Sequence, residues 1–226
     1  MVSSSNTNHS ASLALGRILI GLWITAAVLV TIHVVLNLIH YRVTDLPWLA
    51  RQIFDVDEED SFPTWFSAML LLLTSVSLAL QSFAAKQNKN ALAGQWGVLA
   101  VGFLFLSIDE IAGMHETLNS LIEISWTIPG GIGAGLVGLY FIPFLLKIPR
   151  PLAVKFVIAG AIYLGGALGV EVLTDPYLEN DALNTLAYNL WTAVEEAMEM
   201  GGVLFFLGGV FSVLRDNLGE LKLQFK

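Results

Sequence analysis

The stretch FLSIDEIAGMHETL, residues 104–117, places Asp109, Glu110, His115 and Glu116 at the end of an apolar run. A second group, TAVEEAMEM at 192–200, carries Glu195, Glu196 and Glu199. In a helix, Glu199 stands i+4 from Glu195 and i+3 from Glu196, so it can join either neighbour. His33, Asn37 and His40 share one helical face, and Asp109, Gly113 and Glu116 share another. Glu171 and Asp175 are also i+4 apart. Carboxylates with a few imidazoles suit Mn²⁺, Fe²⁺ or Zn²⁺, and Ca²⁺ would be content without the imidazoles. The expected metal ligands are His33, Asp109, Glu110, His115, Glu116, Glu195, Glu196 and Glu199. Of these, Glu110 and Glu196 are the candidates for a catalytic general base. The spacing lacks the Glu-x-x-His pairs of di-iron bundles. It also lacks the His-x-x-x-His sets of membrane hydroxylases and zincins.

The elements that would position these groups are membrane helices. Apolar residues make up 55% of the 226, charged residues only 13%, and the mean hydropathy is +0.70. A soluble domain has about a quarter charged residues, so this chain belongs to another class. With no cysteine, disulfides, thiolate metal sites and cysteine nucleophiles are all excluded. The net charge of −8 argues against nucleic acid as a partner, since phosphate binding needs a basic surface. Six runs are long enough to cross a hydrocarbon core, which takes roughly 20 helical residues. They lie near 17–40, 64–85, 92–114, 128–146, 153–173 and 187–214. Pro63 fits the first turn of the second, with Asp60 or Ser61 as its cap. The expected fold is all-α, a single polytopic membrane bundle of six transmembrane helices. The first run is too long for a signal-peptide core and is expected to be retained.

Charge gives the expected orientation. Only Arg42 and Arg51 fall at one end of the six runs; the other Lys and Arg residues fall at the opposite end. The positive-inside rule then places both termini in the cytoplasm of a bacterial plasma (inner) membrane. Nearly all acids lie at the other, extracytoplasmic end. Counted at about 1.5 Å per residue from the basic edges, Asp109, Glu110, Glu199, His33 and Glu171 fall at about 22–24 Å. Four helices thus bring ionisable groups to one layer in the outer third of the bilayer. Unpaired carboxylates there repel and are poorly solvated, so they need protons, water or a cation.

Plainer readings exist for each feature. FDVDEEDS, residues 54–61, reads as a solvated acidic loop. Asp109, Glu110 and Glu199 can serve as interhelical hydrogen-bonding groups. Trp48, Trp65 and Trp191 suit interfacial anchors, and the glycines of PGGIGAG and GGALG suit close helix packing.

SIDEIAGMHE and FPTWFSAMLLLL resemble sequences of uncharacterised bacterial multi-pass membrane proteins, over most of the chain, and this resemblance implies no activity. There is a looser similarity to alkaline ceramidase and progestin-receptor-like hydrolases, which combine Ser, His and Asp with zinc in a helical membrane bundle. That analogy sets Ser67, Ser107, Asp109 and His115 against their site. The chain departs from it in lacking paired histidines on a late helix and in having six spans rather than seven.

Three functions follow as expectations. The first is a metal-dependent hydrolase acting on a lipid or interfacial small-molecule substrate. The second is a proton- or cation-coupled transporter. The third is an accessory subunit binding haem or pigment through His33, His40 or His115.

Overall fold

A computed structural model describes residues 3–114, 117 and 125–217. Every regular element among them is helical: α1 (Ser3–Arg42), α2 (Trp48–Gln52), α3 (Phe62–Gln87), α4 (Ala93–Ala112), α5 (Thr127–Leu145), α6 (Arg150–Leu164), α7 (Glu171–Glu179) and α8 (Leu186–Asn217). A π-helical turn, Gly165–Val170, joins α6 to α7 without a break. Six stretches are long and apolar enough to cross a membrane: Leu13–Arg42, Phe62–Gln87, Ala93–Ala112, Thr127–Leu145, Arg150–Leu178 and Leu186–Arg215. The chain is therefore an all-α, multi-pass membrane protein.

Local chemistry sets the element ends. Of the two expected caps for α3, Ser61 is the one used: its Oγ accepts from the Thr64 N–H at 3.2 Å, and Pro63 occupies the first turn. The third span stops at Ala112, short of the expected 114. Gly113 takes a left-handed φ of 51° and its N–H bonds back to the Asp109 carbonyl at 2.9 Å. The fifth span runs past the expected 173 to Leu178, because the π turn carries the helix onward into α7. The stretch between the first two spans is ordered, and its acids Asp57, Glu58, Glu59 and Asp60 are exposed. It holds α2, and the Phe62 N–H bonds the Ile53 carbonyl at 3.0 Å, pinching residues 53–62 into a closed loop.

Helix α8 forms the centre of the bundle, packed by α1, α3 and α6; α4 lies along α3, and α5 is peripheral. Between apolar helices in lipid, association rests on close packing and hydrogen bonds rather than on expulsion of water. Both are present. Ser75, Ser82 and Ser107 each donate to a backbone carbonyl across the α3–α4 seam, at 2.7–2.8 Å. Along the α6–α8 seam, a Cβ on Gly202 would lie 2.8 Å from the Tyr163 nitrogen, and one on Gly166 the same distance from the Glu195 carbonyl oxygen. Only glycine allows these backbones to approach so closely.

The two ends of the bundle differ in kind. Toward the basic end, Trp96, Phe103, Phe144, Phe156 and Phe206 stack across four helices, with successive ring centroids 4.2–6.0 Å apart. Ile20, Leu136 and Leu139 are more than 60% exposed on the isolated chain, and face acyl chains in a bilayer. The carboxylates gather toward the acidic end.

Candidate functional site: a glutamate layer under an acidic loop

Helix α8 supplies Glu195, Glu196 and Glu199 over slightly more than one turn, which spreads them along one flank. Glu196 and Glu199 lie within electrostatic range of Glu110 on α4 and of one another. Glu195 is within hydrogen-bonding reach of Glu171, the first residue of α7. Glu171 also accepts from the Trp126 indole Nε1 at 3.2 Å. Asp109 enters the same neighbourhood through its field at Tyr163. Asp109, Glu110, Glu171, Glu195, Glu196 and Glu199 thus form one connected set drawn from three spans. Among the described residues, the groups that act most strongly on Glu195, Glu196 and Glu199 are other acids and Tyr163. Two carboxyls as close as Glu195 and Glu171 need a shared proton or a cation between them.

Two tyrosines that the sequence pattern does not mark belong to this set. The Tyr163 hydroxyl donates to the Glu199 carboxylate, from a helix whose backbone touches Gly202. Tyr188 donates to Asp57 Oδ2 at 3.0 Å, linking the start of α8 to the acidic loop. In sequence, each reads as an aromatic within or beside an apolar run. The signal available was that Glu199, placed deep in a span without a basic partner, requires a hydroxyl donor.

The histidines stand apart from the carboxylates. His33 is 1% exposed, and both ring nitrogens are used by protein groups. Nε2 donates to the Asn189 carbonyl at 2.9 Å, while Nδ1 accepts from the Val56 N–H at 3.2 Å and lies 3.3 Å from Asp55 Oδ1. Nε2 therefore carries a proton, because the carbonyl can only accept. Both nitrogens are thus engaged by protein groups, where the sequence offered His33 as a metal ligand. His40 Nδ1 accepts from the Leu46 N–H at 3.1 Å, which turns that ring to its own loop. His115 and Glu116 lie outside the described residues. Among the described residues, no three His, Asp or Glu side chains converge closely enough to hold a metal ion. The serines of the hydrolase analogy are structural where their partner is defined. Ser107 Oγ donates to the Ala68 carbonyl, across the seam to α3.

An apolar groove of about 610 Å³ runs between α1 and α6, floored by α8 residues such as Leu190, Ala197 and Gly201. At 100° per residue these lie on the flank of α8 opposite Glu199, so the groove does not lead into the glutamates.

A family model described as Domain of unknown function (DUF8692) matches residues 21–213, reaching from the first span to the sixth. There is no match among curated proteins or among solved structures.

Proposed function

The chain belongs to the DUF8692 family, and we infer that it is a membrane protein whose glutamate layer takes a divalent cation from the extracytoplasmic side. The observation that supports this is the electrostatically linked set of Glu110, Glu171, Glu195, Glu196 and Glu199, whose strongest influences on the α8 members are other acids and Tyr163. As they stand, no three of the described side chains converge on one point, so binding requires them to turn inward. With His33 engaged elsewhere, the described donors are all oxygens. An oxygen-only set favours Mn²⁺ or Ca²⁺ over Zn²⁺.

The fuller reading is a hydrolase for a lipid or interfacial ester or amide. A bound divalent cation would supply carbonyl polarisation at this layer. Glu110 or Glu196 would accept the proton of the attacking water, and Tyr163 would hold Glu199 in place by its hydroxyl. A second reading is favoured by a specific observation: the Glu195–Glu171 and Tyr163–Glu199 contacts satisfy carboxyls with protons alone. The layer is then a proton-sharing scaffold.

Thermal unfolding of detergent-purified protein separates the two. If a cation binds, Mn²⁺ or Ca²⁺ raises the apparent melting temperature, chelation lowers it, and Glu199→Gln abolishes both effects. The gain shrinks on acidification, because carboxylate ligands must be deprotonated. If none of Mn²⁺, Ca²⁺, Fe²⁺ and Zn²⁺ moves the transition, and no metal co-purifies, the cation reading fails and the proton-sharing scaffold stands.

A further inference from the structure

We propose that residues 53–62 form a gate over the glutamate layer, held shut by His33 of α1 and Tyr188 of α8. The loop is closed at its base by the Phe62–Ile53 hydrogen bond, so it moves as a unit. Three ties moor it to three different helices. On α1, His33 receives the Val56 N–H and faces Asp55, while Val56 itself is 2% exposed. On α8, Tyr188 holds Asp57. Beyond the end of α4, the Glu59 carboxylate occupies the space that a Cβ on Gly113 would fill, one turn past Asp109 and Glu110. The loop therefore spans from above α8 to above α4, the two helices that contribute Glu195, Glu196, Glu199 and Glu110. Asp57 also acts electrostatically on both Glu195 and Glu196, which brings the loop within range of the layer.

The loop is also stiffened internally. Gln52 Nε2 donates to Glu58 Oε2 and Asp60 Oδ1 at 2.9 Å each, and Thr64 Oγ1 donates to the Glu58 carbonyl at 2.7 Å. A stiff loop with few moorings opens by losing the moorings rather than by melting. The anchoring groups around His33 are Asp55 from the loop, Asn37 from its own helix and Asn189 from α8; Arg51 joins through Asn37 at 3.3 Å.

The inference concerns access to the site proposed above, and its test reads opening without any cation. The native chain has no cysteine, so Ser107→Cys places a single buried thiol one turn before Glu110, and Thr74→Cys places one deep in α3. Each is labelled with a membrane-impermeant methanethiosulfonate in vesicles exposing the acidic end. On this proposal, Tyr188→Phe and His33→Leu each speed labelling at position 107 by about three- to tenfold, the shift in open population expected for one lost hydrogen bond. Labelling at position 74 stays slow in both. Should His33→Leu fail to fold, Tyr188→Phe carries the test alone. An unchanged rate at 107, or a parallel rise at 74 that signals general loosening, overturns the gate. Faster labelling at 107 in a protein that binds no cation would remove the cation reading and leave the gate standing.

Discussion

At the scale of single residues, position matters more than type. Gly113 is the clearest case, because it combines a left-handed φ of 51° with the Glu59 carboxylate against its Cα. Gly113→Ala is expected to cost about 1–2 kcal/mol from the backbone alone and to lift Glu59 off the end of α4. A melting temperature equal to that of the parent would show that neither effect operates. His33 illustrates how far sequence reasoning reaches at this scale. Its depth and its inward face were legible from the i, i+4 pairing with Asn37, and both side chains are buried. Its partners were not, because Val56 and Asp55 arrive from a loop whose path no helical periodicity encodes. Tyr163 is hidden in the sequence for a related reason. Its Cα lies two turns below Glu171, and a long side chain bridges a gap that counting by rise leaves open.

At the scale of helices, the α6–α8 seam and helix α5 make a matched contrast. Gly202 has neighbouring backbone atoms within 2.9 Å of where a Cβ would stand, whereas Gly133 on α5 has nothing within 4 Å. Gly202→Val is expected to force the seam apart at about 1–3 kcal/mol. Gly133→Ala is expected to be neutral or to stabilise by about 0.5–1 kcal/mol through helix propensity. Apparent melting temperatures of the two variants measure the difference, and equal shifts would refute the seam as a packing determinant. The spans themselves were readable, since length and apolarity specify a membrane helix almost without tertiary information. Their ends were less so. A left-handed cap shortened one, a π turn lengthened another, and each depends on backbone geometry at glycine.

At the scale of the whole molecule, the segregation of charge predicts which way the bundle sits. Lys86, Lys89, Lys147 and Arg150 crowd one end, and the 55–60 acids crowd the other. The basic end is expected in the cytoplasm. In intact cells, an impermeant thiol reagent should label Asp60→Cys and leave Lys89→Cys unlabelled. The reverse pattern would invert the orientation and make the glutamate layer face the cytoplasm. The gathering of acids at one end of three spans is legible in sequence as a matched depth. The loop folding over them is not, because its acidic composition looks the same whether it is solvated or moored.

The π turn at Gly165–Val170 has a consequence for how such a protein diverges. One residue more than an α-helix needs offsets everything beyond it by about 100° about the helix axis. Loss of a single codon in that turn would therefore swing Glu171 away from Trp126 and Glu195, while the basic-end half of the helix kept its packing on α8. Substitution reshapes this span gradually. Insertion or deletion re-aims its acidic half in one step, so across descendants of this chain the length of the glycine-rich turn should be held more strictly than its composition.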